Sequence, residues 1–302
     1  MGDLAQPVAR LLPPPGVALN AGDGVLLTPT EIARLLATHG LAPRRRAGQN
    51  FLIDPNTVRR IVDAADLDPG DEVLEIGPGL GSLTLGLSAT VRRVTAVEID
   101  AGMVTALGEV LAGVDNVEVV HADALAVDLG QLVDQRPVRA VANLPYNVAT
   151  PLLFGLLATP AVTDAYLMVQ REVGERWQAR VGDPRYAGVS IKLGLIAEVA
   201  IDLAIPRAVF HPVPNVDSVM VRIRRRDDAP SAADHRRLAT LVDTAFAQRR
   251  KTLRNTLAKV TDPERLRAAA ALAGIDLAAR AETLDVADIV RLDAALGEVS
   301  AT

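Results

Sequence analysis

Three glycines between two predicted elements form the first stretch of this chain that could hold a ligand. Gly77, Gly79 and Gly81 follow the apolar run 73–76 and precede an apolar helical pattern that begins near Ser82. Glycines let the backbone adopt positive φ and approach a bound molecule, and the start of a helix offers unpaired N–H groups. The pattern is typical of a strand, a glycine turn and a helix that bind a polar ligand, although a tight turn without a ligand can have the same glycines.

Two carboxylates near this turn narrow the choice of ligand. Glu98 ends the second apolar run, 21 residues after Gly77, where a βαβ unit places a carboxylate against a ribose. Glu75 lies just before the glycines, where it would repel a pyrophosphate but attract a cation. The third glycine of a dinucleotide fingerprint would fall at position 82, which is Ser82, so the sequence disfavours an NAD-dependent oxidoreductase. An acid followed by Gly-x-Gly-x-Gly resembles the S-adenosylmethionine site of Rossmann-like methyltransferases.

The segment Asn143-Leu144-Pro145-Tyr146-Asn147 supplies groups that could act on an amine at the end of a predicted strand. The side-chain carbonyl of Asn143 and the backbone carbonyl of Leu144 could accept both hydrogens of an amine such as adenine N6. Such an amine is a poor nucleophile because its lone pair is delocalised into the ring. Tyr146 offers a ring face on which a base could stack. A plain proline-containing turn is the alternative interpretation.

Aromatic residues are scarce, with one Trp, three Tyr and four Phe, so their positions are informative. Phe210 opens the proline-stiffened segment 210–218 and could place its ring opposite Tyr146, with a flipped-out base between them. A core phenylalanine is the alternative. Tyr186, in the predicted loop 182–188, is a further candidate contact.

Basic residues are concentrated in two places, although the formal net charge of −5 argues against a surface that coats nucleic acid. Arg44–Arg46 precede Gln49, and ten Lys or Arg against four acids lie between Arg222 and Leu257. Solvated helix faces are one explanation, but two such runs beside a cofactor domain favour a phosphate-binding rim. The residues expected to face substrate phosphates are Arg249, Arg250, Lys251 and Arg254.

Strand-like and helical runs alternate from Asp71 onward, which predicts an α/β fold with a parallel sheet and helices on both faces. The predicted strands are 73–76, 94–99, 117–120, 138–142 and 165–169. Ligands of such sheets bind at the carboxyl ends of the strands. The polar residues expected to meet there are Gly77, Glu98, Asp123 and Asn143, although Asp123 could instead be a helix cap.

The chain divides into three predicted parts. Residues 1–27 are rich in Pro, Gly and Ala, which predicts a flexible N-terminal extension. A capping box at Thr28–Glu31 predicts the first helix and opens a cofactor-binding domain at 28–227. The linker-like stretch 227–231 leads to a small all-helical domain at 228–302.

Composition excludes several classes of protein. The chain has 302 residues, 49% hydrophobic and 23% charged, as a globular enzyme would. It has no cysteine, which excludes disulfides, thiolate nucleophiles and cysteine metal sites, and its four scattered histidines predict no metal. No apolar run is long enough to span a bilayer and no signal peptide is evident, so we expect a cytoplasmic protein, by default a monomer.

Five motifs, taken in order, resemble those of the ribosomal RNA adenine dimethyltransferases of the KsgA type. They are Gln49-Asn50-Phe51-Leu52, Glu75–Gly81, Asn143–Asn147, Phe210-x-Pro-x-Pro-x-Val-x-Ser218 and Arg249–Asn255. The resemblance extends from about Thr28 to about Leu296. It implies a Rossmann-like class I S-adenosylmethionine-dependent methyltransferase domain with a small helical RNA-binding domain. The implied reaction is dimethylation of N6 of two adjacent adenosines near the 3′ end of 16S rRNA in the small ribosomal subunit, contributing to ribosome assembly.

The resemblance also implies a role for each matching residue. The residues implied to bind the cofactor are Asn50, Leu52, Gly77, Glu98, Asp123 and Asn143. Within this set, Asn50 and Leu52 would lie by the methionine end, Glu98 would bind the ribose and Asp123 the cofactor's adenine amine. The residues implied to act on the target adenine are Asn143, Leu144, Tyr146 and Phe210, the last two by stacking.

Two alternatives within this resemblance stay open. The nearest is a large-subunit rRNA adenine methyltransferase of the antibiotic-resistance type, which Asn143–Asn147 and Arg249–Asn255 disfavour. The second is a non-catalytic ribosome assembly factor, in which we would expect altered site residues, and we see none.

Overall fold

The computed structural model describes residues 9–11, 26–43, 49–259 and 261–301. The Arg44–Arg46 run lies outside the described residues, as does most of the extension 1–27. The chain forms two compact units, one of Met1–Arg171 with Ile201–Ile223 and one of Glu172–Ala200 with Arg224–Thr302. The second unit thus includes Glu172–Ala200, which the sequence analysis assigns to the cofactor domain.

The first unit is organised around a sheet of eight strands in the order β1-β5-β4-β3-β6-β7-β10-β8. The strands of this sheet are β1 (Ala9–Leu11), β3 (Glu72–Ile76), β4 (Arg93–Glu98), β5 (Val117–His121), β6 (Val138–Asn143), β7 (Val162–Gln170), β8 (Ala197–Ile205) and β10 (Ser218–Arg225). Strands β3 to β7 pair in parallel, which confirms the predicted parallel sheet. Two short strands, β2 (Phe51–Leu52) and β9 (Phe210–His211), form a separate antiparallel pair.

The helices connect these strands and continue to the end of the chain. They are α1 (Pro29–Thr38), α2 (Pro55–Ala65), α3 (Ser82–Ser88), α4 (Ala101–Val110), α5 (Leu129–Leu132), α6 (Ala149–Ala158), α7 (Arg171–Gln178), α8 (Gly188–Gly194), α9 (Ala232–Phe246), α10 (Leu253–Leu257), α11 (Pro263–Ala273) and α12 (Val286–Ala301). Helix α1 begins at the predicted capping box of Thr28 and Glu31. Within the described ranges, no helix has both the length and the apolar character needed to cross a bilayer.

The middle of the sheet is buried on both faces, as is usual for parallel strands covered by helices. All five residues of β3 are buried, and Leu74 and Val94 are completely inaccessible. Helix α2 contributes Val58 and Ile61 to the same core. Burial of each such side chain contributes roughly 1.5–3 kcal/mol, so this core sets the position of the strand ends.

The amino ends of the strands carry a network of ion pairs. Its members, which we call the amino-end network, are Glu72, Arg92, Arg93, Glu118, Arg136, Arg139, Asp71 and Asp164. Glu72 is buried and bonds to both Arg92 and Arg136, and buried Glu118 bonds to Arg93. Arg139 donates to Asp164 at 3.0 Å and to the carbonyl of Ala65 at 2.9 Å. Each buried carboxylate at this end of the sheet therefore has a cationic partner.

Strand β1 is one of five strands that the sequence analysis does not predict, the others being β2, β8, β9 and β10. It pairs antiparallel with β5, and Ala9 lies opposite His121. Three residues with no clear alternation carry too little pattern to predict a strand, so only the pairing with β5 defines this one.

The second unit is mainly helical, and the small helical domain at 228–302 stays a prediction. Helix α8 packs against α9 and α12, and α11 packs along α12. This packing explains why a segment encoded between β7 and β8 belongs to the same unit as the C-terminal helices. Local sequence patterns identify helices, but they do not show which other helices each will contact.

Candidate functional site

A cavity of about 320 Å³ opens at the carboxyl ends of β3, β4, β5 and β6, within the first unit. Its wall includes all six residues implied to bind a cofactor: Asn50, Leu52, Gly77, Glu98, Asp123 and Asn143. They come from five separate segments of the chain. The parallel sheet brings four of these segments together because its strands end at the same edge, and the fifth, at Asn50 and Leu52, includes β2 of the separate β2–β9 pair. A role in cofactor binding stays a prediction for each of them.

The glycine turn, of which Gly77 and Gly79 line this cavity, has a conformation that favours glycine. Gly77, Gly79 and Gly81 have φ values of 70°, 57° and 88°. A Cβ atom at Gly79 would lie 3.1 Å from Cε1 of Phe51, and one at Gly81 would lie 2.6 Å from Cδ1 of Leu107. A side chain at either position would therefore be strained and crowded.

Glu98 is held at the end of β4 by backbone N–H groups. Its Oε1 accepts from Ile99 and Asp100, both at 2.9 Å, and its Oε2 accepts from Gly79 at 3.1 Å. Burial raises the pKa of Glu98 above its usual range, and these hydrogen bonds oppose that effect. A carboxylate can accept about four hydrogen bonds, so Glu98 keeps capacity for a hydroxyl of a ligand.

Asp123 and two apolar residues border the same cavity. Oδ1 of Asp123 accepts the N–H of Leu125 at 2.9 Å, which forms a turn after β5 rather than a helix cap. Ile99 and Leu125 also line the cavity, and their exposed fractions are 63% and 48%. Exposed apolar side chains that share a cavity with a carboxylate suit a flat aromatic ring that carries an amine.

Asn143 is oriented by a contact with the segment that precedes α2. Its Nδ2 donates to the backbone carbonyl of Asn50 at 3.1 Å. Because the amide nitrogen is used in this way, the Asn143 side-chain carbonyl is the group that remains to accept from a ligand. Leu144 follows with its side chain buried and its N–H donating to the carbonyl of Met168 at 3.1 Å.

Tyr146 is half-buried and fixed at its hydroxyl. The Tyr146 hydroxyl lies 2.6 Å from Oγ of Ser218, which is itself completely buried at the start of β10. Burial raises the pKa of Tyr146, so the phenol stays neutral at physiological pH. The sequence analysis does not propose a role for Ser218, although this serine closes the Phe210 motif that it identifies.

Phe210 does not line the cavity. Its ring is 0% exposed, it lies opposite Leu52 in the β2–β9 pair, and it belongs to the core that contains Val58 and Ile61. The structure thus places Phe210 where the alternative interpretation, a core phenylalanine, puts it. Stacking on a target base stays a prediction, and it requires that this ring become uncovered.

Tyr186 lies in the core of the second unit. Its hydroxyl donates to the carbonyl of Leu284 at 2.7 Å, and its ring meets the edge of Phe246 with centroids 6.3 Å apart. Because the side chain is buried and its hydroxyl is bonded, Tyr186 has no open face for a substrate. A substrate contact at this residue stays a prediction, and it requires that the ring become uncovered.

Glu75 differs from the other residues of the cavity wall. Its side chain is 1% exposed, and its Oε2 has no hydrogen-bond partner among the described residues. Burial raises the pKa of Glu75 to about 8. The hydroxyl of Thr84 lowers this pKa, and the negative charge of Glu98 raises it. This carboxyl therefore holds a proton at neutral pH unless a cation comes near it.

The predicted RNA-binding segment lies in the second unit, between α9 and α11. All four of its predicted contacts, Arg249, Arg250, Lys251 and Arg254, are exposed. Arg249 lies 3.9 Å from Glu282, whereas the other three form no ion pair with a described residue. A β-bridge between Thr252 and Arg280 brings a fifth exposed cation beside this segment. In the described part of the chain, no three His, Asp or Glu side chains form a group that could hold a metal ion.

A family model described as "Ribosomal RNA adenine dimethylase" matches residues 40–296 of this chain. Among curated proteins, "Ribosomal RNA small subunit methyltransferase A" of Thermobifida fusca is 47% identical over 280 residues, which are 90% of this chain and 97% of that protein. The protein of the same name from Leifsonia xyli is 46% identical over 277 residues, 89% of this chain and 98% of its own length.

Two solved structures resemble the chain over most of its length. The 23S rRNA methyltransferase ErmE is 31% identical with a TM-score of 0.64, and the match covers 82% of this chain and all of that one. A dimethyladenosine transferase from Plasmodium falciparum is 26% identical with a TM-score of 0.68, over 83% of this chain and 98% of that one. Together with the parallel sheet, these likenesses confirm the predicted Rossmann-like methyltransferase fold.

Proposed function

The chain belongs to the ribosomal RNA adenine dimethylase family, and we propose that it dimethylates N6 of two adjacent adenosines near the 3′ end of 16S rRNA in the small ribosomal subunit. The observation that carries this proposal is the 47% identity to a small-subunit methyltransferase over nearly the full length of both proteins. The methyl donor is S-adenosylmethionine. We propose that the protein acts in the cytoplasm and that it contributes to ribosome assembly as a monomer.

The residues around the cavity fit this cofactor chemically. Glu98 keeps capacity for a ribose hydroxyl, and Asp123 lines the same cavity as exposed Ile99 and Leu125, which suits an adenine with its amine. The unpaired oxygen of buried Glu75 suits a cation. When bound, S-adenosylmethionine supplies an electrophilic methyl group on a positively charged sulfur.

Asn143 and Leu144 prepare the amine of the target. The Asn143 side-chain carbonyl and the Leu144 backbone carbonyl accept the two hydrogens of adenine N6. Holding both hydrogens out of the ring plane localises the nitrogen lone pair toward the methyl group. After N–C bond formation the nitrogen is cationic and its surplus proton is acidic, so the chain needs no strong base.

Tyr146 and the basic segment of the second unit bind the RNA. Tyr146, fixed by Ser218, gives a ring face for the target adenine once this base has left its stack. Arg249, Arg250, Lys251 and Arg254 bind phosphates, which carry no sequence information but hold the RNA in register. Removal of Arg250, Lys251 and Arg254 is therefore expected to weaken binding of the small subunit and to lessen its salt dependence.

A large-subunit substrate is the main competing proposal, since ErmE is a 23S rRNA methyltransferase. That likeness is 31% identical, whereas the curated small-subunit relatives reach 47% over 97% of their length. The small-subunit substrate is accordingly the better supported of the two.

The test is transfer of labelled methyl groups to small subunits that lack the modification, with large subunits in parallel. We expect label in dimethyladenosine of small-subunit RNA, and a loss of at least 100-fold in rate for Asn143→Ala, in line with removal of a group that acts on the reacting atoms. Asn116→Ala is the matched control, because Asn116 also donates to backbone carbonyls, those of Ser88 and Val91, but lies outside the cavity.

Label in the large subunit would instead support the competing substrate. Tight cofactor binding without label in either subunit would support the non-catalytic assembly factor. Both results would contradict the proposed dimethylation of 16S rRNA.

A further inference from the structure

Two exposed arginines lie beside the segment that holds Tyr146, and neither lines the cofactor cavity. Arg171 follows β7 directly, and Met168 of this strand lies opposite Asn143 in the sheet. Arg207 begins the short turn of helix that precedes β9. Both arginines belong to the first unit, as do Asn143 and Tyr146. Arg171 therefore lies at the same carboxyl edge of the sheet as the residues proposed to act on the target adenine.

Asp217 fixes the backbone of both arginines. Its carbonyl accepts the N–H of Arg171 at 3.0 Å, and its Oδ1 accepts the N–H of Arg207 at 2.9 Å. The next residue is Ser218, whose hydroxyl lies 2.6 Å from that of Tyr146. One short segment thus sets the positions of two cations relative to the ring that is proposed to stack on the target base.

The guanidinium groups of these arginines are weakly engaged within the chain. Nη2 of Arg171 lies 3.6 Å from Oδ2 of Asp217, and the two side chains are 44% and 43% exposed. An exposed ion pair of this kind contributes little to stability. Arg207 donates to the backbone carbonyl of Asn215 at 3.2 Å and forms no ion pair with a described residue. Two cations beside one carboxylate leave a net positive charge, which suits an anionic ligand.

We propose that Arg171 and Arg207 bind the backbone phosphates next to the target adenosine, and that they hold this nucleotide out of its stack and against Tyr146. The inference rests on the proposed function, because the RNA substrate supplies the phosphates. Extrusion of a base costs free energy, and contacts to the displaced nucleotide offset that cost. Arginine suits this role because its planar guanidinium binds a phosphate through two N–H groups at once.

The effect of these two contacts differs from that of the basic segment in the second unit. Arg250, Lys251 and Arg254 bind phosphates that hold the RNA as a whole, so their loss should mainly raise KM. Arg171 and Arg207 act on the target nucleotide itself. Their loss should also lower kcat, because the base of the bound RNA is extruded for a smaller fraction of the time.

Methylation of small subunits that lack the modification, together with binding at several salt concentrations, tests the proposal. Arg171→Gln and Arg207→Gln should each lower kcat about tenfold, in line with loss of a hydrogen bond to a charged group. Each should also reduce the salt dependence of binding by about one cation. Arg207→Lys should restore the salt dependence but only part of kcat, since lysine keeps the charge and lacks the planar fork. Affinity for S-adenosylmethionine should stay unchanged, which shows that the variants are folded.

Arg92→Gln is the matched control. Arg92 is an exposed arginine of the same unit at the amino end of the strands, and its partner Glu72 keeps a second bond, to Arg136. The substitution removes the same charge from the opposite edge of the sheet. It should leave kcat and the salt dependence at their wild-type values.

Two substitutions of Asp217 separate phosphate binding from a structural ion pair. Asp217→Asn keeps an oxygen that accepts the N–H of Arg207, but it removes the negative charge that competes with phosphate for Arg171. Its affinity for small subunits should equal or exceed that of the wild type. Asp217→Ala also removes the acceptor, so it should share the kcat defect of the arginine variants.

Wild-type kcat and salt dependence in both Arg171→Gln and Arg207→Gln would overturn this inference and leave the proposed function intact. A lower kcat with an unchanged salt dependence would also overturn it, because the arginines would then support the fold instead of binding phosphate. A wild-type protein that methylates no small subunit would contradict the proposed function itself.

Discussion

Buried carboxylates at the two ends of the central sheet have different hydrogen-bond partners. At the amino end, Glu72 and Glu118 are buried and each is bonded to arginine. At the carboxyl end, Glu75 and Glu98 are buried to the same degree, but Glu98 is bonded to backbone N–H groups and Glu75 keeps an unpaired oxygen. The strands are shared, so the difference lies in the partners that each end supplies.

Because of this difference, we expect the amino end of the strands to contribute to stability and the carboxyl end to contribute to function. Pairs at the amino end compensate the burial of charge within the chain, so their removal should weaken the fold. Carboxyls at the other end lack that compensation and are available to a ligand, as strained or unpaired groups at functional sites often are. Substitutions at the two ends should therefore differ in sign and in the property that they change.

The largest expected effect is a gain of stability in Glu75→Gln that depends on pH. The pKa of Glu75 is about 8 in the folded protein, against 4.5 when exposed. Below pH 4.5 both states are protonated, and stability is unaffected. Between pH 4.5 and about 8 only the unfolded state ionises, so wild-type stability falls by about 1.4 kcal/mol per pH unit. The cofactor-free variant should thus gain several kcal/mol in urea unfolding at pH 8 and little at pH 5.

Glu118→Gln is the counterpart at the amino end, and it should lose stability at pH 8 because Arg93 loses its partner. The comparison between the two ends fails if both variants shift stability in the same direction at pH 8.

Next in size is the effect of Arg139→Met at the amino end. This change removes bonds to Asp164, Asp71 and two backbone carbonyls while keeping most of the apolar volume. Breaking a buried pair on one side typically costs 3–5 kcal/mol, and partial exposure of the partners here reduces the expected loss to about 3 kcal/mol. Urea unfolding would measure it.

The same Arg139→Met variant should bind S-adenosylmethionine with unchanged affinity at a temperature where it is folded, because Arg139 lies outside the cavity. A tenfold loss of affinity would show that the two ends are coupled, contrary to the separation argued above.

Cofactor stabilisation should act through the carboxyl end alone. S-Adenosylmethionine at 100 times its dissociation constant stabilises the folded state by about 2.7 kcal/mol. Thermal unfolding with and without the cofactor should show this increment in the wild type and in Arg139→Met. In Glu75→Gln at the same cofactor concentration it should be smaller, since the affinity is lower. An undiminished increment in Glu75→Gln would mean that Glu75 plays no part in binding.

Local patterns in the sequence predict much of the carboxyl end and little of the amino end. Apolar runs locate the ends of the five predicted strands to within three residues, and a parallel sheet then gathers residues such as Gly77, Glu98 and Asn143 at one edge. The ion pairs of Arg139 and the bond between Tyr146 and Ser218 join residues 25 to 72 positions apart. Such contacts depend on which strands become neighbours and in what register, and short apolar patterns do not contain that information.

The position of Phe210 shows, at a single residue, that local sequence patterns do not predict tertiary contacts. An aromatic residue before a proline-rich stretch predicts a ring available for stacking. In the fold, β9 pairs with β2, more than 150 residues earlier in the chain, and this pairing carries the ring into the core. Only the tertiary pairing distinguishes the two outcomes, since both are compatible with the local sequence.

The smallest expected effect on stability comes from the hydrogen bond between Tyr146 and Ser218. At 2.6 Å it links the segment after β6 to the start of β10 between two neutral hydroxyls. Loss of one such bond changes stability by about 1 kcal/mol. Tyr146→Phe and Ser218→Ala should each lose about this amount, and the double variant should lose little more, because both remove the same bond.

Measurements of KM and kcat should distinguish the Tyr146 and Ser218 variants from the variants at the amino end of the sheet. If Ser218 positions the Tyr146 ring for the target base, Ser218→Ala and Tyr146→Phe should share one defect, a raised KM for small subunits at nearly constant kcat. Ser218→Thr, which restores a hydroxyl, should recover most of the wild-type KM. A Ser218→Ala enzyme that loses stability but keeps its KM would make this bond a structural contact only, like the ion pairs at the other end of the sheet.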